Sequence, residues 1–415
     1  MLSRYFKSPS RITQFLCRPS GSLLEAFAQH LDQVGYSNRS ACRHLRAAEH
    51  LLYWADYEDV SVSSVSEVIL ARLAEHLTQC YCQGVSRTGK AELLRGASVF
   101  LAYYRSVNTD TNSFSTIPAN QECGLLSEFY QWMRQQRGTR DSTLRLYSVS
   151  LRSLLNGIHD DVGKLNAQYL RQFVLERSQK GYGAGRSSSI ALRMFIRFLV
   201  AKGKCAAGLD EAIPSIAHWN LSSLPQYLQE DEIERVITSC DRNRPSGKRD
   251  RAILLLLARL GLRASDILHL RIADIDWKGA SISVSGKSKS LTQLPLTQEV
   301  GQAIVDYLQQ GRPRSDADML FVRSVAPFTA FKTQQSISGL AKRAMQRAGI
   351  TRSGRGAAHV FRHSAATSML RNGASLQDIA TILRHRSIIT TQIYAKVDVT
   401  ALREIAQPWP EELPC

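Results

Sequence analysis

The sequence predicts a mainly α-helical chain with one small antiparallel β-sheet, an α+β architecture of helical modules followed by a mixed C-terminal unit. Three observations predict it. Apolar residues recur at helix-face spacing over residues 21–105. That pattern starts again about a hundred residues further on. One stretch, Ser281 to Leu296, alternates apolar and polar residues around a turn-like, lysine-bearing segment.

Residues 1–20 hold arginines and serines and no acid, and they are read as a basic N-terminal arm that frays in solution. Residues 21–110 form a helical N-terminal module. Phe27, Leu31, Leu45, Leu51, Leu52 and Trp54 fall on helix faces, and Glu67–Cys82 reads as a further helix. The stretch 106–124, rich in Ser, Thr and Asn, is the linker candidate. Residues 122–215 repeat the module. Leu125-Leu126-Ser127-Glu128-Phe129 echoes Leu23-Leu24-Glu25-Ala26-Phe27, and Ser142 to Arg145 echoes Ser40 to Arg43. Each copy closes on an aromatic helix, around Phe100 and Tyr103 in the first and Phe195 and Phe198 in the second. Two copies are too few for a solenoid, so a tandem pair of four-helix modules is expected.

A boundary near residues 213–228, marked by Pro214 and Pro225, opens the third unit, 225–415. Glu230, Asp231 and Glu232 sit in the first turn of a helix, where its dipole favours acids. Ala252 to Leu262 is nearly all apolar, a core helix. The hairpin follows, with Lys287 and Lys289 at its tip, and helices return from Ser336 onward.

The chain has 415 residues, 44% apolar and 21% charged, with a formal charge of +17, so it is globular and built to meet a polyanion. Charge alone does not separate nucleic acid from an anionic membrane. No apolar run approaches the roughly 20 residues of a membrane span. Eight cysteines are scattered. Cys80 and Cys82 are two apart with no second Cys or His pair following, so free thiols and no metal are expected.

Five landmarks carry the chemistry: Arg263, Lys287, the pair His359 and Arg362, His385, and Tyr394. Arginines grip non-bridging phosphate oxygens bidentately. A tyrosine hydroxyl can attack phosphorus and keep the broken strand as an ester. Lysine and histidine can move the protons. Taken singly, each has a plainer reading: Arg263 a salt bridge to Asp266, Lys287 a solvated lysine, Tyr394 a core-edge residue. Their order and spacing together favour a phosphodiester site. His359 and Arg362 share one helix face, while Val360 and Phe361 turn to the core, and His363 reads as a supporting or capping residue. Ser387 to Tyr394 reads as a short helix with His385 at its mouth. Arg137, Arg140, Arg145, Arg152, Lys180 and Arg186 make the second module the better DNA-facing candidate.

Residues 225–400 resemble the catalytic domain of the tyrosine recombinases, the phage-integrase family. The match rests on Gly261-Leu262-Arg263 with Ser265-Asp266, Gly286-Lys287, His359 with Arg362-His363-Ser364, and His385 with Ser387, Tyr394 following nine residues on. Residues 124–205 resemble the family's core-binding domain more loosely. Arg384 departs from the glycine often found before the third-motif histidine. The resemblance implies cleavage by Tyr394 through a 3′-phosphotyrosyl link, with Arg263 and Arg362 binding the phosphate. Lys287 is the implied general acid, with Lys289 its weaker rival. His359 is implied for proton transfer with Tyr394, His385 for hydrogen bonding to the phosphate, and Asp266 for orienting a histidine or an arginine. It also implies no cofactor, double-stranded DNA at specific sites as partner, and a homo-tetramer, with or without a second recombinase, in the bacterial cytoplasm and its nucleoid. Arg140, Arg145, Arg152, Arg186 and Lys289 are the expected DNA contacts. A type IB topoisomerase-like enzyme and a non-cutting DNA binder are the competing readings.

Overall fold

A computed structural model describes residues 1–17, 20–60, 66–82, 89–108, 124–217, 224–285, 291–351, 356–385 and 387–397. The first residues correct the expectation of a frayed arm. Helix α1 (Leu2–Tyr5) and helix α2 (Pro9–Leu16) bury Leu2, Tyr5, Phe6 and Phe15 in the core of the first module. Pro9 suits the first turn of α2, where its missing N–H costs nothing. One of the basic residues is recruited rather than left to solvent. Arg11 pairs with Glu49, whose carboxylate is buried and needs a cation, and its guanidinium lies 4.6 Å from the centre of the Phe15 ring.

Four helices follow, α3 (Gly21–Gln33), α4 (Asn38–Tyr57), α5 (Ser66–His76) and α6 (Lys90–Asn108). Ser37 caps α4 by accepting from the Ser40 amide. Helix α5 ends at His76, six residues short of the expected stop, and the chain then turns back through Cys80 and Cys82. The second module is again four helices, α7 (Gly124–Arg137), α8 (Asp141–Ile158), α9 (Ala167–Gln179) and α10 (Tyr182–Ala201). Most of the expected linker, 109–123, lies outside the described residues; its first three positions are the end of α6. Each module closes on the same aromatic pair. Phe27 meets Phe100 edge-on at 5.2 Å and 83°, and Phe129 meets Phe195 at 5.4 Å and 89°.

The mixed unit starts with α11 (Glu230–Thr238), where the Glu232 carboxylate accepts from the Gln229 amide at 2.9 Å. Helix α12 (Pro245–Ala258) is its centre. Ala252 to Leu257 are wholly buried, as expected of a helix apolar all round. After α13 (Ala264–His269), strands β1 (Ile275–Asp276), β2 (Ser281–Ser285) and β3 (Leu291–Pro295) pair antiparallel in that order. Ile282 opposes Leu294, and both are buried, so the hairpin's inner face joins the core. Helices α14 (Gln298–Gln310), α15 (Gln334–Arg347), α16 (Ala357–Arg371) and α17 (Leu376–Ile382) complete the unit. The expected helix from Ser387 is two short 3-10 turns, Ile388–Thr390 and Gln392–Val397, the first capped by the Ser387 hydroxyl. Met1–Thr111 and Ser223–Cys415 form one compact unit and Asn112–Ser222 another.

Removing one ring of either aromatic pair leaves a cavity in a fully packed module. Phe129→Ala should therefore cost about 3–5 kcal/mol of the second module's stability, measured by chemical denaturation, and a loss under about 1 kcal/mol would show the pair to be dispensable.

Candidate active site

Two turns in the left-handed backbone region, at Gly261 and Arg384, and one helix build the site. At Gly261, φ is +58°, which lets the chain leave the α12 core sharply and deliver Arg263 as the N-cap of α13. Helix α16 presents Arg362 from the opposite side, with Val360 and Phe361 turned into the core. Arg362 is 4% exposed. Its Nη1 donates to the Gly261 carbonyl at 2.5 Å, and its Nη2 donates to the Leu383 carbonyl at the end of α17. Arg263 Nη2 donates to the Arg384 carbonyl at 3.1 Å. The two arginines thus tie three segments together. Burial, reinforced by the neighbouring Arg263 charge, lowers the Arg362 pKa to about 9. Burial also lowers that of Arg263, against the opposing pull of Asp266.

Asp266 does not brace the Arg263 guanidinium, as the sequence suggested. Its Oδ2 accepts from the Arg263 backbone amide at 3.0 Å and pairs with the Arg384 guanidinium. Arg384, the departure from the glycine-bearing pattern, sits at φ +55° just past α17, which is the left-handed position that glycine fills without strain. Its side chain is turned inward. Nη2 is used by Asp266, while Nε and Nη1 are buried without a hydrogen-bond partner among the described residues. Sequence reasoning missed this third inward guanidinium. The odd residue before His385 was its only signal.

Tyr394 is 2% exposed, in a small cluster with Ala366, Ile379 and Leu383. Its hydroxyl lies 3.0 Å from Nδ1 of His363. The histidine touching the tyrosine is therefore His363, the next helical turn from His359, where the sequence favoured His359. Burial raises the Tyr394 pKa, and the Arg362 and Arg263 charges pull it back. His385 stacks near Tyr394, ring centres 6.5 Å apart and nearly parallel, and its Nδ1 is 2.8 Å from the Thr391 hydroxyl. His359 keeps an exposed face. Packing on its other side, then Arg362 and Arg263, lower its pKa. Burial lowers both His363 and His385 to about 4, helped in His363 by His359 and in His385 by Arg362. The site thus sets neutral imidazoles and a neutral phenol among guanidiniums. That arrangement can bind an anion and pass a proton.

Lys287 and Lys289 lie outside the described residues, although the strands on either side of their turn are in place. Arg140, Arg145, Arg152 and Arg186 are all exposed on the second module, the middle two on one face of α8. No described helix is long and apolar enough to cross a membrane.

A fold of helical modules leading to a mixed unit, with a buried tyrosine beside paired arginines and histidines, defines a DNA-strand-transfer enzyme of the tyrosine class. Residues 226–400 match the phage integrase family, and residues 126–203 match the phage integrase N-terminal SAM-like domain. The putative integrase/recombinase y4rA of Sinorhizobium fredii is 33% identical over 393 residues, 93% of each chain. The tyrosine recombinase XerC of Lactobacillus delbrueckii subsp. bulgaricus is 28% identical over 304 residues, 69% of this chain and 99% of that one. The fold is similar to XerH site-specific recombinase bound to palindromic difH substrate in a post-cleavage complex. There the TM-score is 0.56 at 19% identity, covering 82% of this chain and 95% of that one. The chain belongs to the phage-integrase family of tyrosine recombinases, enzymes that cleave and rejoin DNA through a phosphotyrosyl intermediate.

Two outcomes follow from the geometry. Arg384→Ala leaves the Asp266 carboxylate buried without its cation while keeping the left-handed backbone, so it should cost about 3–5 kcal/mol. Arg384→Gly loses the same pair but relaxes the backbone, and in denaturant titrations it should be more stable than Arg384→Ala by about 1–2 kcal/mol. Equal stabilities would mean that Arg384 carries no backbone strain. The histidines give a pH dependence. An unfolded histidine takes a proton near pH 6.5, whereas folded His363 and His385 refuse it until about pH 4. Their contribution is complete above about pH 6.5 and is lost as pH falls towards 4. The melting temperature should drop across that window, and less steeply in His363→Asn; an unchanged slope would show that His363 is not held neutral.

Proposed function

We propose that this chain recombines double-stranded DNA at specific sites, integrating, excising or resolving a mobile element in the bacterial cytoplasm, with Tyr394 as nucleophile. The observation that carries the reading is the Tyr394 hydroxyl, 3.0 Å from His363 and within the field of Arg362 and Arg263. As the Tyr394 oxygen attacks phosphorus, its proton passes to neutral His363. The bond from phosphorus to the 5′-oxygen breaks, and Lys287, or failing that Lys289, supplies the proton that the 5′-oxygen takes. Arg263 and Arg362 hold the non-bridging oxygens, and their preorganised charge is the largest source of rate. His385 hydrogen-bonds the phosphate, and His359, at the exposed mouth, meets it from the DNA side. Asp266 acts through Arg384 and the Arg263 backbone as a positioning residue.

The exposed Arg140, Arg145, Arg152 and Arg186 supply sequence-independent phosphate contacts, which make binding salt-sensitive. In the reverse step, the 5′-hydroxyl of another strand displaces the tyrosine and restores a phosphodiester. A homo-tetramer on two sites, with or without a second recombinase, carries out this exchange pairwise. Residues 401–406, Ala-Leu-Arg-Glu-Ile-Ala, are amphipathic by sequence and resemble the family's tail helix that docks on a neighbouring subunit, and they lie outside the described residues.

The test is a nicked suicide substrate made from DNA flanking the gene. Wild-type protein should give an SDS-resistant adduct, Tyr394→Phe none, and His363→Asn a slower one at unchanged DNA affinity. An adduct that survives in Tyr394→Phe would remove Tyr394 as nucleophile. Rates equal in His363→Asn and wild type would remove His363 as the proton acceptor.

A further inference from the structure

Four side chains of the first module take no part in this chemistry, and they converge. His50 comes from α4, His76 is the last residue of α5, and Cys80 and Cys82 follow where the chain turns back. One potential ligand atom from each lies within 4.8 Å of every other. Nε2 of His50 is 3.3 Å from Sγ of Cys80, and Nε2 of His76 is 3.3 Å from Sγ of Cys82. A zinc tetrahedron, with Zn–S about 2.3 Å and Zn–N about 2.0 Å, has N···S edges of about 3.5 Å. The cluster already has nearly those edges.

We propose that His50, His76, Cys80 and Cys82 bind one zinc ion in the N-terminal module. Two thiolates and two imidazoles are the donor types that zinc prefers over magnesium or calcium. Binding releases the two thiol protons, and the two thiolate charges neutralise the cation. His50 is 2% exposed and the other three are half-buried, so the ion is shielded but reachable.

With all four positions filled by protein, the site has no open position for a substrate, and its role is structural. It clamps the end of α5 and the returning chain to α4, where α5 is only eleven residues long. The Trp54 ring, 5.7 Å from that of His76, closes one side. The remaining cysteines described are placed differently. Cys17 is exposed, Cys42 donates to the Tyr5 carbonyl, Cys205 is half-buried, and Cys240 lies by Arg347.

Full-length protein, purified under reducing conditions without chelator, should carry one zinc per chain by elemental analysis. Stripped and titrated with cobalt(II), it should develop the visible bands of a tetrahedral thiolate site at one equivalent. Cys80→Ala/Cys82→Ala should lose both signals, and Cys17→Ala/Cys205→Ala should keep them. Cys82→His retains a fourth ligand, so it should keep the metal with about half the thiolate charge-transfer intensity. This variant reads the site even if the double alanine variant fails to fold. Wild-type protein without zinc and colourless in cobalt would overturn the proposal and leave two thiol–imidazole hydrogen bonds. Zinc that survives the loss of Cys80 and Cys82 would overturn it as well.

Discussion

The guanidinium of Arg362 is the constraint on which the catalytic unit depends. It is buried, and it holds the Gly261 carbonyl on one side and the Leu383 carbonyl on the other. A buried charge without partners is among the costliest features a fold can carry, so both loops must come to it. Arg263 and Arg384 crowd the same place, and among the described residues only Arg384 of these three guanidiniums is paired with a carboxylate, that of Asp266. Burial, with that crowding adding to it, lowers the pKa of Arg362. An anion placed beside Arg263 and Arg362 would relieve that like-charge repulsion. The site is strained towards an anion before any anion arrives.

The proposed nucleophile is held by much weaker means. Tyr394 sits outside the main core, in a cluster with Ala366, Ile379 and Leu383, on a 3-10 turn whose preceding turn is equally short. Short turns on small clusters open at low cost. The residue as a whole is 2% exposed, so the proposed attack on DNA requires this segment to yield while the arginine frame stays fixed. The buried arginine frame and the proposed nucleophile are thus separated in the fold: one is built into α13 and α16, the other onto the turns beyond α17.

What the sequence revealed follows the same division. His359 and Arg362 were legible because one helix fixes their relation, and so was the hairpin, because alternation fixes its inner face. His363 was passed over for His359. Both lie on the same side of α16, and only the approach of Tyr394 across thirty-one residues distinguishes them. Arg384 looked like a tolerable departure because its left-handed backbone and its partner Asp266 are set 118 residues apart. The buried helices of residues 1–17 were hidden because Lys7-Ser8-Pro9 interrupts the apolar spacing. The cluster around Cys80 was dismissed because a second pair was sought after it, whereas His50 and His76 precede it and α4 and α5 supply them.

The two helical modules are copies in fold but not in surface. Helix α8 starts 103 residues after α4, Asp141 against Asn38. At that offset the buried positions agree: Ala48 with Leu151, Leu51 with Leu154, Ala55 with Ile158. The register is one residue longer than the echo of Ser40 in Ser142 implied. It sets Arg145, Val149 and Arg152, an exposed face of α8, against Cys42, Arg46 and Glu49 of α4. All three of the latter are covered by the first seventeen residues. Cys42 donates to the Tyr5 carbonyl, Arg46 lies over the Phe6 ring, and Glu49 pairs with Arg11. The face that the second module leaves open and basic is, in the first, sealed by α1 and α2 and given a buried acid. A surface that buries a carboxylate under an aromatic cover cannot track a phosphate backbone in the same way. The first module keeps the helical scaffold of the second and turns that face into core, so any contact it makes with DNA must use another side.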